Sequence, residues 1–158
     1  MTPFVSIIIP TFNREKMLCK TLDSFLQQQF PSGTFQILVC NNNSTDKTQD
    51  VIDEYALKFP NLIIPIFEAR QGVHYARNSS ALRAEGNWLY FTDDDMVAEP
   101  DLLEKLFLPC EVYPELDVLT GKVLPLWAER PPAWVLEHCQ NGYLSLQMRT
   151  EKLVISPS

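Results

Sequence analysis

Short apolar runs alternate along the chain with stretches of helical periodicity. Four of these runs are rich in β-branched or aromatic side chains and end at turn-forming residues, which is typical of buried strands. They cover residues 5–9, 35–40, 62–67 and 87–92. Pro65 interrupts the third run and indicates an edge strand or a bulge. A fifth strand is expected near residues 117–124.

Between these runs, apolar residues recur three and four positions apart, as on one face of a helix. The predicted helices cover residues 18–29, 51–59 and 73–84 and a segment after Pro100. The 73–84 helix has a stripe of small residues, which would let it pack close to a sheet. From residue 126 onward the sequence is rich in proline and tryptophan and is expected to form a surface loop.

Strands that alternate with helices predict an α/β fold, in which a mostly parallel sheet is flanked by helices. Three polar clusters follow predicted strands directly, at residues 11–14, 41–46 and 93–95. In such sheets ligands bind beyond the carboxyl ends of the strands, so the three clusters are expected to converge on one edge. We assign residues 1–125 to this ligand-binding domain and residues 126–158 to the loop and the start of a further region.

The composition narrows the class of partner. Twenty acidic against thirteen basic residues give a net charge of -7, so the chain lacks the basic field typical of nucleic-acid binding proteins. The first residues carry no basic leader, and no apolar run reaches membrane-spanning length. The four cysteines have no metal-ligand spacing and are expected to be reduced thiols. We therefore expect a cytoplasmic chain without a membrane segment or a nucleic-acid partner.

Asp93, Asp94 and Asp95 are the most informative residues. Three adjacent carboxylates at the end of an apolar strand repel one another unless a cation or hydrogen-bond donors compensate their charge. A divalent metal would do so, since Mg²⁺ and Mn²⁺ bind carboxylate oxygens and take further ligands from phosphates. Alternatively, the acids form a solvated loop that caps the next helix.

Two further clusters suit an anionic ligand. Residues 10–14 (PTFNR) form a turn that could line a site or simply cap the helix that follows. Arg70 and Arg77 flank Gly72 near a helix N-terminus, where arginines and the helix dipole can neutralise a diphosphate. The chain contains neither a GxGxxG nor a GxxxxGK[ST] motif, which argues against dehydrogenases and P-loop enzymes.

Taken in order, these clusters resemble glycosyltransferase family 2, over roughly the first 125 residues. The matching segments are VSIIIPTFNR (5–14), ILVCNNNSTDKT (37–48), EARQGVHYARNSSALRAEGNWLYFTDDD (68–95) and PDLLEKL (100–106). The resemblance implies the nucleotide-diphospho-sugar transferase fold, which is Rossmann-like. It also implies a nucleotide-sugar donor and a DXD-type metal site that holds Mg²⁺ or Mn²⁺.

By the same resemblance, the pocket for the base and ribose is expected to be lined by Pro10, Thr11, Asn13 and Arg14. Asn41 stands where the family usually has an aspartate that accepts a hydrogen bond from uracil. Asparagine still offers a carbonyl oxygen but no charge, so a UDP-sugar is the favoured donor and other nucleotides stay open.

The family's diphosphate and metal contacts are implied in the same way. Arg70 and Arg77 would lie near the diphosphate, and Gly72 would permit close approach of the backbone. Asp93 would contact the ribose or the metal and Asp95 would ligate the metal. Asp94 could exchange roles with either neighbour.

The catalytic base stays unassigned. In the family it is an Asp or Glu well beyond the DXD motif, whereas 63 residues follow Asp95 here and none of their acids has the family's Glu-Asp context. We expect the acceptor region, for a saccharide or a lipid-linked acceptor, to be incomplete in this chain. The main alternative is a non-catalytic or truncated relative that keeps the nucleotide-sugar site. A sugar nucleotidyltransferase is disfavoured because residues 10–14 lack its glycine-rich loop.

Overall fold

The computed structural model describes residues 4–31, 33–113, 115–121 and 123–140. Its helices and strands follow the alternation that the sequence predicts. In chain order they are β1 (Val5–Thr11), α1 (Glu15–Leu26), β2 (Phe35–Asn41), α2 (Thr48–Lys58), β3 (Ile63–Phe67), α3 (Val73–Ala81), β4 (Trp88–Phe91), α4 (Leu102–Val112) and α5 (Ala133–Gln140). The chain divides into two compact units at Lys105 and Leu106, and the four strands lie in the first.

The four strands form one parallel sheet in the order β3-β2-β1-β4. Val5 pairs with Phe35 and Thr11 pairs with Asn41, so β1 and β2 run side by side over their whole lengths. Consequently the polar residues that follow these strands emerge at the same edge. The predicted α/β fold with a parallel sheet is confirmed, and β3, which contains Pro65, is an edge strand as expected.

Burial explains why the inner strands form. All seven residues of β1 and all seven of β2 are buried, so these runs are covered on both faces, as in parallel sheets generally. On α1, Leu18, Leu22 and Phe25 are almost completely buried and recur four and three positions apart. On α3, Ala76 and Ser80 are fully buried, and the predicted small-residue face thus packs against the sheet.

Gly86 permits a close approach between the turn before β4 and the start of β1. Its backbone N–H donates to Ser6 Oγ at 2.8 Å. A Cβ atom at this position would lie 2.6 Å from the backbone nitrogen of Ser6, which is shorter than any real contact. A side chain here would therefore displace β4 from β1.

One expectation for the second unit was wrong. Residues 115–121 and 123–127 contain no strand, although a fifth was predicted near 117–124; residue 122 lies outside the described part. Val118 is 82% exposed, so the burial that stabilises a strand is missing there. Residues 125–132 contain no helix or strand. They are followed by α5, whose first turn is closed by a 3.0 Å bond from the Val135 N–H to the Pro132 carbonyl.

No helix in the described ranges combines the length and the apolar character needed to cross a bilayer. The described cysteine side chains are free thiols, in agreement with the sequence: Cys19, Cys40 and Cys110. The side chain of Cys139 lies outside the described part.

Candidate functional site

The loops after the four strands enclose a cleft of about 490 Å³ at the carboxyl edge of the sheet. This is the edge at which parallel α/β sheets bind ligands. Its lining combines three carboxylates with an arginine, amides and a few apolar side chains. The lining residues are Pro10, Thr11, Phe12, Arg14, Asn42, Gln71, Gly72, Val73, Asp93, Asp94 and Asp95.

Residues 93–95 form a turn directly after β4, which we call the acidic turn. Its central residue differs from its neighbours. Asp94 is only 9% exposed, its Oδ2 accepts a 2.7 Å bond from the Thr11 hydroxyl, and its backbone carbonyl accepts one from Thr21 at 2.8 Å. These bonds attach the acidic turn to β1 and α1. Burial raises the pKa of Asp94, and the Thr11 bond offsets part of that rise.

The two outer carboxylates are open to solvent and only partly paired. The side chains of Asp93 and Asp95 are 57% and 44% exposed. Asp93 Oδ1 accepts a 2.7 Å bond from Arg77 Nη2, while Asp95 Oδ2 lies 3.8 Å from Arg14 Nη1, beyond hydrogen-bond distance. Arg77 Nε is buried and has no hydrogen-bond partner among the described residues. The acidic turn thus retains unused oxygens beside two guanidinium groups.

These oxygens fit a divalent cation that is shared with a ligand. Within the described residues, no three His, Cys, Asp or Glu side chains cluster as a full protein ligand set. Mg²⁺ and related cations at nucleotide phosphates need fewer protein ligands, because one or two carboxylates are joined by phosphate oxygens and water. Exposed carboxylates at Asp93 and Asp95, on the wall of the cleft, match that donor set.

Asn13 connects the loop after β1 to the loop after β2 by hydrogen bonds. Its Oδ1 accepts the Thr45 N–H at 2.7 Å, and its own N–H donates to Ser44 Oγ at 3.0 Å. Asn13 adopts a φ of 53°, a left-handed conformation that asparagine tolerates better than most residues. The next N–H, of Arg14, donates to Thr48 Oγ1 at 3.1 Å. The loop after β2 and the first residue of α2 therefore satisfy the N–H groups that lead into α1.

Asn41, at the end of β2, is buried within a chain of side-chain hydrogen bonds. Its Oδ1 accepts the Ser44 N–H at 2.8 Å, and its Nδ2 donates to Gln49 Oε1 at 2.7 Å. Gln49 Nε2 in turn donates to Asp53 Oδ1 at 2.8 Å. Asn41 is 1% exposed and is not part of the cleft lining, so its contact with a base stays a prediction.

Arg70 is paired with the carboxylate of Glu68. Its Nε and Nη2 both donate to Glu68 at 2.8 Å, and its guanidinium carbon lies 4.6 Å from the ring centre of Tyr75. Ser79 donates a further hydrogen bond to the same carboxylate. Arg70 and then Ser79 hold the pKa of Glu68 well below its ordinary value of 4.5. A contact between Arg70 and a diphosphate stays a prediction, because the guanidinium lies outside the cleft lining.

Gly72 precedes α3 and lines the cleft. Its φ of 135° lies in a region that side chains rarely permit, and a Cβ atom would lie 2.7 Å from the His74 ring. Because Val73 also lines the cleft, the positive end of the α3 dipole is next to it.

The structure brings most of the proposed residues together and adds four that sequence reasoning did not select. Pro10, Thr11, Arg14, Gly72 and the acidic turn line one cleft, whereas Arg77 reaches it through Asp93. The additional lining residues are Phe12, Asn42, Gln71 and Val73. Each adjoins a selected residue in the sequence, so inspection of the whole turn after each strand could have found them.

A parallel sheet with carboxylates, arginine and a helix N-terminus at its carboxyl edge defines an α/β protein with a site suited to a phosphorylated ligand and a cation. The family model described as Glycosyl transferase family 2 matches residues 6–154. The chain belongs to this family, as the resemblance in its motifs indicated.

Individual relatives agree with this assignment. Glycosyltransferase AglE of Haloferax volcanii is 33% identical over 103 residues, which are 65% of this chain and 34% of the relative. The chain spans about a third or less of the length of the curated relatives it matches.

Two solved structures share the fold. Staphylococcus aureus TarS in complex with UDP is 25% identical with a TM-score of 0.65, covering 77% of this chain and 38% of TarS. A mannosyltransferase from Pyrobaculum calidifontis in complex with GDP-Man and Mn²⁺ is 29% identical with a TM-score of 0.55, covering 60% of this chain and 28% of that protein.

Proposed function

We propose that this chain binds a nucleoside diphosphate sugar together with Mg²⁺ or Mn²⁺, as the donor-binding part of a glycosyltransferase. The observation that carries the proposal is the acidic turn, whose outer carboxylates are exposed on the wall of the cleft and are incompletely paired. Family membership supports a transferase, and the named relatives are glycosyltransferases.

The acidic turn and its arginines suit the diphosphate end of the donor. Asp95, with Asp93, would hold the cation. A bound cation offsets the negative charge that develops on the leaving diphosphate during transfer. Arg14 and Arg77 add positive charge at the same place, and each guanidinium has further N–H groups that can donate to phosphate oxygens.

Phe12, in the lining of the same cleft, suits the nucleoside. Phe12 is 45% exposed there and offers a ring face on which a base could stack. Thr11 is occupied by Asp94, and Asn13 by the loop after β2, so we assign both to support the pocket rather than to direct contact with the nucleotide. UDP is the first candidate, and the relatives in complex with UDP and with GDP-Man support a nucleoside diphosphate in general.

Isothermal titration calorimetry tests the proposal. The chain is titrated with UDP and with GDP, each with Mn²⁺ and without it, and the experiment is repeated with Asp95→Ala. We expect binding of one nucleotide that requires Mn²⁺ and is lost in the variant. Binding that is indifferent to Mn²⁺ and unchanged by Asp95→Ala would contradict the site as assigned.

A further inference from the structure

Asn42 lies where the loops after β1, β2 and β3 come together. Its backbone N–H donates to the Thr11 carbonyl at 2.8 Å, and its backbone carbonyl accepts a 2.7 Å bond from Gln71 Nε2. The residue is 4% exposed, yet it belongs to the lining of the cleft. Asn42 therefore connects three segments that form the cleft.

The side chain of Asn42 makes three more hydrogen bonds, all to the backbone of one loop. Its Nδ2 donates to the carbonyls of Glu68 at 3.0 Å and Arg70 at 2.6 Å, and its Oδ1 accepts the Gly72 N–H at 2.8 Å. Only one orientation of the amide satisfies these partners, because the reverse orientation would place an acceptor against two carbonyls. A single primary amide thus makes three of the hydrogen bonds that hold the 68–72 loop, beside those from Gln71 Nε2 to the Asn42 carbonyl and from the Glu68 N–H to the Asn41 carbonyl.

We propose that Asn42 is the positioning residue that fixes the 68–72 loop against the cleft and thereby sets the affinity for the nucleotide. This inference rests on the proposed function. The loop ends at Gly72, which directly precedes α3 and lines the cleft. Asn42 acts through the backbone that it holds, and its own amide groups are already used by that loop.

The chemistry of the three bonds predicts which substitutions matter. Asn42→Asp keeps the shape of the side chain but turns an oxygen toward the carbonyls of Glu68 and Arg70, where two donors are required. Asn42→Ala removes all three bonds without adding a charge. The neighbouring Asn43 is exposed and has a φ of 63°, which aspartate also tolerates, so Asn43→Asp is a matched control for the same change.

The experiment combines two measurements on the chain and these three variants. Titration calorimetry with UDP and Mn²⁺ measures the dissociation constant, and hydrogen exchange resolved by NMR measures the protection of the Gly72 amide. We expect both Asn42 variants to bind UDP about tenfold more weakly or worse, and Asn43→Asp to stay within about twofold. Gly72 protection should fall by about tenfold or more in the Asn42 variants, while the amides of β2 keep theirs.

The exchange pattern separates positioning from general destabilisation, because a general loss of stability would also lower the protection of β2. If Asn42→Asp does not fold, Asn42→Ala carries the test. Binding by Asn42→Ala within about twofold of the unmodified chain would overturn the inference and leave the proposed function standing. Failure of the unmodified chain to bind either UDP or GDP would instead overturn the proposed function itself.

Discussion

Two groups of carboxylates and arginines lie at the carboxyl edge of the sheet, and their pairing differs. In the 68–72 loop, Glu68 is 9% exposed at its side chain and accepts three bonds from Arg70, one of them from its backbone N–H, and one from Ser79. In the acidic turn, Asp93 has one such bond and the ion pair of Asp95 is 3.8 Å long. A carboxylate whose oxygens all accept hydrogen bonds, such as Glu68, stabilises the fold. A carboxylate with unpaired oxygens on the wall of a cleft, such as Asp95, is available to bind a ligand.

The largest effect is expected for a variant of the acidic turn. Asp95→Ala should weaken the binding of UDP in Mn²⁺ by roughly 100-fold or more, because it removes a carboxylate that we propose holds the cation. The thermal midpoint without ligand should change little, since the Asp95 side chain is 44% exposed and makes only a long ion pair. Titration calorimetry and thermal unfolding measure the two quantities. If Asp95→Ala lowered the thermal midpoint strongly but kept the affinity for UDP, Asp95 would be a structural charge like Glu68 and not a ligand-binding one.

The second largest effect is expected for a variant of the 68–72 loop, and it should appear as a lower thermal stability. Glu68→Gln removes the charge that Arg70 and Ser79 surround, and it should lower the thermal midpoint at pH 7 by several degrees. Glu54→Gln is the control, since Glu54 forms an exposed pair with Lys58 one helical turn away and should contribute little. Equal midpoints for the two variants would show that the Glu68 pairs are not structural.

Glu68 should also give the chain a characteristic response to acid. Its pKa is depressed in the folded state by Arg70 and Ser79, so its contribution to stability is present above the ordinary value of 4.5 and is lost as the pH falls below it. The gap in thermal midpoint between the unmodified chain and Glu68→Gln should therefore narrow as the pH falls from 7 to 3, without closing, because the pKa of folded Glu68 lies below this range. A gap of constant size across this range would contradict the pairing.

Arg77 should have an intermediate effect on affinity. Arg77→Met removes the guanidinium that holds Asp93 and leaves the cleft with less positive charge, so UDP should bind about tenfold more weakly. Arg83→Met, on an exposed residue two positions beyond α3, controls for the loss of one charge. Similar affinities in the two variants would show that Arg77 does not serve the diphosphate.

The smallest effect, on the thermal midpoint, is expected at Asp94. This aspartate differs both from Glu68 and from the exposed Asp93 and Asp95. Burial raises its pKa above the ordinary 3.8, so its ionisation costs stability as the pH rises from that value toward neutrality. Asp94→Asn keeps an acceptor for the Thr11 hydroxyl and avoids this cost. Its thermal midpoint should equal or slightly exceed that of the unmodified chain at pH 7, and the difference should narrow toward pH 4. A clear drop at pH 7 would show that the charge is required.

Local pattern was sufficient to predict the sheet, because strands buried on both faces are mostly apolar runs. β1 and β2 are such runs, and the acidic turn follows β4 where the sequence places it. Residues 117–124 (DVLTGKVL) offer only two short apolar pairs, and the burial that makes a strand stable depends on neighbours that a single segment does not reveal.

The division of labour within the site could not be predicted from the sequence. Thr11 and Asp94 bond across 83 positions, and Asn42 reaches the 68–72 loop across 26 to 30 positions. Adjacent residues of the same type therefore differ in role because tertiary packing buries one of them and leaves its neighbour exposed. Asp94 is buried between two exposed aspartates, and Asn42 is buried beside the exposed Asn43.

The central claim is that the acidic turn binds a divalent cation jointly with a nucleoside diphosphate. Electron paramagnetic resonance of free Mn²⁺ tests it directly, by titration of the chain into Mn²⁺ with UDP, compared with UDP alone and with the chain alone. We predict weak uptake of Mn²⁺ by the chain alone, clearly tighter uptake by the chain with UDP than by UDP alone, loss of this gain in Asp95→Ala and its retention in Glu54→Gln. Uptake that the chain does not increase over UDP alone, or that Asp95→Ala leaves intact, would contradict the claim.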